Sequence, residues 1–353
     1  MKRKKIILTG GGTGGHVIPA LALVPELEHQ GYDISYIGSY TGIERELVEN
    51  HKTKIPYHAI STGKLRRYLS KENIKDMGRV VKGVRDAGYH MKKIKPDVVF
   101  SKGGFVSVPV VMAAWLHRVP VVIHESDASF GLANKISAQF ATAICTSFPE
   151  IFHRKAVFTG TPIRADLLKG DKHKGKKLTG LGHLPVMLVM GGSGGAVRLN
   201  QAIVDALPQL LRDFNVIHMT GRGNQTGIQK AGYKEFEFIS DELKDVFALA
   251  DLVVSRAGAN AVFEFLALKK PNLLVPLPLS ASRGDQIDNA KSFEKQGYSK
   301  VLLEENLTTE QLVSAVTELY KNRHLYTAHM AKAKKNTAIK NIVTVIVEHT
   351  KGN

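Results

Sequence analysis

His16 closes the run Gly10-Gly11-Gly12-Thr13-Gly14-Gly15-His16, and that run is where the chain first offers chemistry. Glycines let backbone N–H groups approach an anion, and a helix that starts behind them adds partial positive charge. A histidine there titrates near neutral pH, so it can take a proton from an attacking hydroxyl. It can equally pin the loop by hydrogen bonding. Two further glycine turns follow, Ser101-Lys102-Gly103-Gly104-Phe105 and Gly191-Gly192-Ser193-Gly194-Gly195. Three anion-ready helix N-termini suggest more than one phosphate. Gly10, Gly12 and Gly15 also match the dinucleotide fingerprint, which expects an acid about 20 residues on, at the end of the second strand. That region reads Ile37-Gly38-Ser39-Tyr40, with no acid until Glu44. No Gly-Lys-Ser/Thr follows any of the turns, which excludes a P-loop.

The elements that must hold these turns alternate β-rich runs with helical patterns, which predicts parallel sheets covered on both faces. The spacing predicts a strand ending at Thr9, then one helix over Val17 to Gln30. Further strands are expected over Asp33 to Gly38, Lys54 to Ile60, Asp97 to Ser101, Val119 to His124, Thr142 to Thr146 and Val157 to Thr159. Helices are expected over Gly42 to Asn50, Glu72 to Lys95, Phe105 to His117 and Leu132 to Phe140. Gly160 to Leu184 reads as a connector, and its basic stretch Lys169 to Lys177 as a solvated loop. The pattern restarts with a strand over Val186 to Met190 and a helix over Ala196 to Leu211. Strands follow over Asn215 to Thr220, Glu235 to Ile239, Asp251 to Ser255, Asn272 to Pro276 and Lys300 to Leu303, and Leu325 to His349 reads as helical. Two such units predict an α/β protein of two Rossmann-like domains facing each other across a cleft.

The chain has 353 residues, a net charge of +17 and one cysteine, Cys145. Such a charge favours anionic partners: nucleic acid, acidic lipid headgroups or phosphorylated substrates. No nucleic-acid-binding motif is present and aromatics are 7%, so nucleic acid is not expected as a partner. One cysteine excludes an internal disulfide and fits a reducing cytoplasm. Only Ile6 to Leu8 follow the basic start, so no signal-peptide core is read.

Six separated motifs carry a resemblance. They are Gly11-Gly12-Thr13-Gly14-Gly15-His16; His124-Glu125-Ser126 with Gly131-Leu132-Ala133-Asn134-Lys135; Gly160-Thr161-Pro162-Ile163-Arg164; Gly191 to Ala196; Ser255-Arg256-Ala257-Gly258-Ala259 with Glu264; and Asp285-Gln286 with Asn289-Ala290. In this order and spacing they closely resemble the MurG family, bacterial N-acetylglucosaminyltransferases of glycosyltransferase family 28. The likeness runs from about Lys4 to about Gly297. It implies a GT-B fold, with residues 1–160 as the acceptor and membrane-side domain, rejoined by the helix 325–349, and residues 161–324 as the UDP-GlcNAc-binding domain. It implies inverting transfer of GlcNAc from UDP-GlcNAc to the C4 hydroxyl of MurNAc in lipid I, giving lipid II.

Carried over residue by residue, the resemblance makes Ser193 and Gly194 the diphosphate loop, Arg164 a phosphate contact and Glu264 the acceptor of ribose hydroxyl hydrogen bonds. Ile239 reads uracil through its backbone. Ala259, Asn260, Ala261, Val262 and Phe263 form the turn and helix start near the donor, and Gln286 contacts the sugar. Thr13, Gly14 and Gly15 line the cleft, and Gly11, Gly12, Gly103 and Gly104 face the acceptor diphosphate. His16 is the preferred general base, Glu125 the alternative, and His124 orients the loop. The sequence contains no Asp-x-Asp, so no metal and no cofactor are expected, and backbone amides and cations would stabilise the leaving diphosphate. The sequence departs from the common pattern at Asp127, where many relatives carry Asn.

A lipid-linked acceptor asks for a protein on the bilayer rather than through it. From Ser61 to Lys95 there are eleven Lys/Arg and three Asp/Glu, interleaved with Leu65, Tyr68, Leu69, Ile74, Met77, Val80, Val81, Val84 and Met91. That suits anionic lipid, with Trp115 and Phe105 nearby. The alternative is an amphipathic helix packed on the sheet with a solvated basic face. The expected location is the cytoplasmic face of the cell membrane, with cell-wall synthesis proteins as further partners. Two other functions fit the same motifs: a glycolipid synthase acting on diacylglycerol, and a non-catalytic nucleotide-sugar-binding scaffold.

Overall fold

The computed structural model describes residues 3–63, 71–192 and 195–352. The chain divides into two compact units, Met1–Ile163 with Asn336–Asn353, and Arg164–Lys335. Each is a doubly wound parallel sheet between helices.

In the first unit the strands are β1 (Lys4–Thr9), β2 (Tyr32–Ser39), β3 (Tyr57–Ile60), β4 (Val98–Ser101), β5 (Val121–Glu125), β6 (Ala143–Thr146) and β7 (Ala156–Phe158). Its helices are α1 (Gly14–Leu21), α2 (Val24–His29), α3 (Ile43–Glu49), α4 (Lys71–Ile94), α5 (Ser107–Leu116) and α6 (Leu132–Phe140). The strand order is β3-β2-β1-β4-β5-β6-β7. Both faces of β1 are covered, which is why it reads as an unbroken apolar run. Ile6 and Leu8 point into one cluster, with Val24 and Leu27 of α2; Ile7 points into the other, with Ala87 of α4 and Val110 of α5.

The second unit contains α7 (Lys172–Thr179), β8 (Val186–Met190), α8 (Val197–Leu210), β9 (Asn215–Met219), β10 (Tyr233–Phe236), α9 (Leu243–Leu249), β11 (Leu252–Ser255) and α10 (Ala259–Leu268). β12 (Asn272–Leu274), α11 (Asp285–Lys295), β13 (Lys300–Val301), α12 (Thr309–Lys321) and α13 (Arg323–Lys332) complete it. Its strand order, β10-β9-β8-β11-β12-β13, repeats that of the first six positions of the first sheet, without a counterpart of β7. In each sheet the order reverses beside the first strand, between β1 and β4 and between β8 and β11. Ligands of open α/β sheets bind beyond the carboxyl ends of the strands at such a point.

Several expected elements are corrected. The single helix over Val17 to Gln30 is two, α1 and α2, with Pro25 in the first turn of α2. Proline lacks the N–H that would continue the ladder, and its ring clashes with the preceding turn. The basic stretch Lys169 to Lys177 is largely helix rather than loop, although its lysines from Lys172 on are exposed. Asp171 accepts hydrogen bonds from the N–H groups of His173 and Lys174, Gly180 ends α7 in the left-handed conformation, and α7 packs on α9. The strand expected over Glu235 to Ile239 lies earlier, at β10. The strand expected from Lys54 begins only at Tyr57.

The expected helix over Leu325 to His349 is also two. α13 belongs to the second unit, and α14 (Ala338–Glu348) to the first. Ile342, Val343, Val345 and Ile346 of α14 are buried in the cluster around Ile6 and Leu8. The Asn341 side chain donates to the Thr159 carbonyl (3.2 Å) and Asn336 to that of Thr161 (3.0 Å), tying the returning chain to the departing one.

Candidate functional site

The functional residues of the first unit sit on three loops at the carboxyl ends of β1, β4 and β5. The Gly11 N–H donates to the Gly103 carbonyl at 3.3 Å, so the first two loops lie side by side at the switch point. This approach requires glycine. Gly104 has φ +81°, and a Cβ on it would run into the Gly11 carbonyl; Gly12 has φ +86°, and a Cβ would meet the Phe105 ring at 2.5 Å. Phe105 therefore covers the first loop. Thr13, Gly12 and Gly15 are exposed, while Gly11 and Gly14 are buried.

His16 is half-buried in the first turn of α1, and its Nδ1 is 3.2 Å from the Lys102 carbonyl. A carbonyl only accepts, so Nδ1 carries the proton and Nε2 is the basic nitrogen of the neutral ring.

Two residues that sequence reasoning passed over brace the first loop. Glu44 is fully buried; it accepts from the Gly12 N–H (3.2 Å), the Ser39 N–H (3.0 Å) and the Ser39 hydroxyl. The Tyr36 hydroxyl donates to the Gly10 carbonyl at 2.7 Å. Glu44 follows β2 closely, where a dinucleotide fold would aim an acid at ribose. Here it turns under the loop instead, and its place after β2 was the available signal.

The third loop is wound around Glu125, which is 3% exposed. One carboxylate oxygen accepts from the Asp127 N–H (3.0 Å). The other accepts from the Gly131 N–H (3.0 Å) and the Asn134 amide (3.0 Å). His124 is buried, with Nε2 2.9 Å from the Gly160 carbonyl. Burial, with help from the Lys102 charge, holds its imidazole well below the usual range, so Nε2–H donates to that carbonyl from a neutral ring.

In the second unit Ser193 and Gly194 lie outside the described residues. Around them, Gly195 has φ +74° and packs against Gly221 and Asn224. Behind it runs a hydrogen-bonded relay that ends on the Glu235 carboxylate, which accepts from the Tyr233 hydroxyl at 2.7 Å. The Asn200 amide donates to the Thr220 carbonyl (2.8 Å), Asn200 Oδ1 is 3.1 Å from His218 Nε2, and His218 Nδ1 is 3.0 Å from the Tyr233 hydroxyl. Burial takes the His218 imidazole down to about 4, so it stays uncharged near neutral pH.

Ala259, Asn260, Ala261, Val262, Phe263 and Glu264 form the first turns of α10, and Ile239 follows β10, buried. Burial raises the Glu264 carboxyl to about 7, opposed by the Arg164 charge and aided by Asp166, so Arg164 and Glu264 are brought together. Among the described residues the buried Arg164 Nε has no hydrogen-bond partner. Gln286, in the first turn of α11, accepts from the Leu277 N–H at 3.1 Å, which leaves its amide nitrogen as a donor. Arg256, on the β11–α10 turn, pairs with Glu304 and donates to the Val275 carbonyl (3.1 Å).

The apolar positions of α4 divide. Val84, Ala87 and Met91 pack on the sheet, whereas Met77, Val81 and Tyr89 are exposed, as are Trp115 and Leu116 of α5. Leu65, Tyr68 and Leu69 lie outside the described residues. No helix among the described residues is long and apolar enough to cross a membrane.

Residues 6–146 match the glycosyltransferase family 28 N-terminal domain and residues 186–345 its C-terminal domain. A Lachnospira eligens protein named UDP-N-acetylglucosamine--N-acetylmuramyl-(pentapeptide) pyrophosphoryl-undecaprenol N-acetylglucosamine transferase is 52% identical, covering 99% of this chain and 100% of its own. A Geobacillus thermodenitrificans protein of the same name is 51% identical, with 98% of each chain covered. The crystal structure of Acinetobacter baumannii MurG is 29% identical with a TM-score of 0.74, covering 98% of this chain and 99% of that one. A kitacinnamycin glycosyltransferase structure, 15% identical with a TM-score of 0.73, covers 99% and 100% and shares the fold.

Proposed function

The chain belongs to glycosyltransferase family 28, and from that premise we propose how its residues carry out the family's reaction. It is an N-acetylglucosaminyltransferase with two Rossmann-like domains of GT-B type. It moves GlcNAc from UDP-GlcNAc to the N-acetylmuramyl-pentapeptide of pyrophosphoryl-undecaprenol, making lipid II.

In our reading His16 is the general base, and the observation that carries it is the Nδ1 contact with the Lys102 carbonyl. Nε2 takes the proton from the C4 hydroxyl of MurNAc as its oxygen attacks the anomeric carbon, and the bond to the UDP oxygen breaks with inversion. Glu125 is less suited to this work, because three donors already occupy its carboxylate. Charge developing on the departing diphosphate is met by backbone amides of the loop after β8 and by Arg164, whose unpartnered Nε supports that role. Glu264 accepts from the ribose hydroxyls and Gln286 donates to the sugar. The C-terminal helix starts, Ala259 to Phe263, support the donor, and Ile239 supports the uracil. Gly11, Gly12, Gly103 and Gly104, with Thr13, Gly14 and Gly15, receive the acceptor diphosphate.

The reaction runs without a metal in this proposal, and a chelator should leave the rate unchanged. The test of the whole reading is transfer of radiolabelled GlcNAc to a lipid I analogue, with diacylglycerol as the competing acceptor. Label in diacylglycerol alone would replace this reading with the glycolipid synthase, and donor binding without transfer would replace it with the scaffold.

The first unit rests on the cytoplasmic face of an anionic membrane in the same reading. Exposed Met77, Val81, Tyr89, Trp115 and Leu116 accompany exposed Arg79, Lys82, Arg85, Lys92 and Lys93 on α4 and α5. Flotation with anionic vesicles, and its loss with neutral ones, is the expected result; equal binding to both would count against it.

A further inference from the structure

Lys102 is the one charged side chain of the glycine loops that the proposed reaction leaves unused. It stands at the end of β4 and is 1% exposed, so its ammonium cannot reach a substrate. Nζ donates to the Ser126 hydroxyl. It also faces the carboxylates of Glu125 and Asp127, both on the third loop, while its own carbonyl holds His16. An ammonium enclosed in this way is costly unless anions accompany it. Burial pulls the Lys102 amine down to about 8, and the two carboxylates oppose that. Glu125 is fixed by its own three donors, which thread through the loop from Asp127 to Asn134. Lys102 thus joins the second glycine loop to the loop after β5, and it supplies the positive charge beside Asp127.

We propose that Lys102 is a positioning residue for the acceptor: it offsets the Glu125 and Asp127 carboxylates and holds the third loop against the glycine loops that receive the diphosphate. This rests on the reading of those loops as the acceptor site. With Lys102 charged, the three groups sum to one negative charge; without it they sum to two, and the diphosphate is repelled. One unit of charge about 10 Å away at an intermediate dielectric changes affinity on the order of tenfold.

The test is steady-state kinetics on four proteins: wild type, Lys102→Met, Asp127→Asn and the double variant. Lys102→Met should raise KM for the lipid I analogue about tenfold, leaving kcat and the UDP-GlcNAc KM within about threefold. The double variant, which removes both charges, should recover most of that loss. An unchanged acceptor KM in Lys102→Met, or a loss the double variant does not recover, overturns the proposal. If Lys102→Met does not fold, the double variant decides: a folded double variant with near-normal acceptor KM supports charge compensation, and an unfolded one overturns it. Failure of the acceptor reading itself would show separately, as a wild-type protein that does not use lipid I. The thermal midpoints of the four proteins would then still report whether Lys102 and Asp127 are coupled.

Discussion

The two units place a glycine loop at the same point of the same sheet, yet support it differently. The loop after β1 is held by ions: the Glu44 carboxylate beneath Gly12, and Lys102 with Glu125 beside it. The loop after β8 is backed by a relay of Asn200, His218 and Tyr233, in which the histidine is uncharged. Buried charge is expensive and depends on every partner remaining in place, whereas the relay after β8 has an uncharged histidine and ends on a carboxylate, Glu235, that is only partly buried, which costs less. The first loop is the one beside the proposed base, where fixed charge can act on a developing proton transfer. In the proposed reaction the second meets a diphosphate through backbone groups, which need only be aimed.

The largest effect should separate chemistry from scaffolding. His16→Ala should lower kcat by about 10²–10⁴, with the thermal midpoint nearly unchanged; near-normal kcat would leave the ring as a loop pin. Next comes the ion-supported loop itself. Glu44→Gln puts an amide NH₂ among donors, and should cost about 1–3 kcal/mol in denaturant unfolding. Tyr233→Phe in the relay, whose Glu235 carboxylate is only partly buried, should cost about 0.5–1.5 kcal/mol. Equal costs would erase the contrast between the loops.

Ionisation of Glu264 gives a comparable but pH-dependent effect. Its carboxyl, raised to about 7, is largely neutral at pH 6 and largely ionised at pH 8, and in the proposed reaction the ionised form is the full acceptor for the ribose hydroxyls. KM for UDP-GlcNAc should therefore fall about tenfold from pH 6 to pH 8, and Glu264→Gln should flatten the profile. The sign for stability is opposite. A carboxyl whose folded pKa lies above its unfolded value favours the folded state while protonated, so its contribution is lost as pH rises from the ordinary 4.5 toward 7. Backbone strain gives a local effect of similar size. Gly192→Ala meets nothing within 4 Å but must adopt φ +88°, and should cost about 1–2 kcal/mol. Gly12→Ala carries the same strain plus the Phe105 ring, and should cost more by thermal melting.

Both sheets were legible because strands covered on two faces are written as short apolar runs, and glycine turns announce themselves by type. The breaks were less legible. Val17 to Gln30 keeps an apolar helical pattern through Pro25, so the pattern outweighed the proline. The stretch Lys169 to Lys177 looks too polar to pack, although Asp171 and Gly180 marked its helix ends. At the site, the glycines and His16 could be read from local order, but Glu44 and Lys102 could not. A lysine or glutamate in a row of letters looks solvated; only contacts such as that of Glu44 with Gly12, or of Lys102 with Ser126, turn it into an interior charge.

The return of α14 to the first unit sets an order of events during synthesis. Arg164–Lys335 is one uninterrupted stretch, and it is fully made before α14. Until then Val24 and Leu27 lack Ile342 and Ile346, with which they share a buried cluster in the finished unit. The first unit also lacks the Thr350 hydroxyl that meets the Tyr32 hydroxyl at 2.6 Å. At ordinary elongation rates that interval is roughly 10–30 s. The unit whose synthesis begins first is thus the one whose core is completed last.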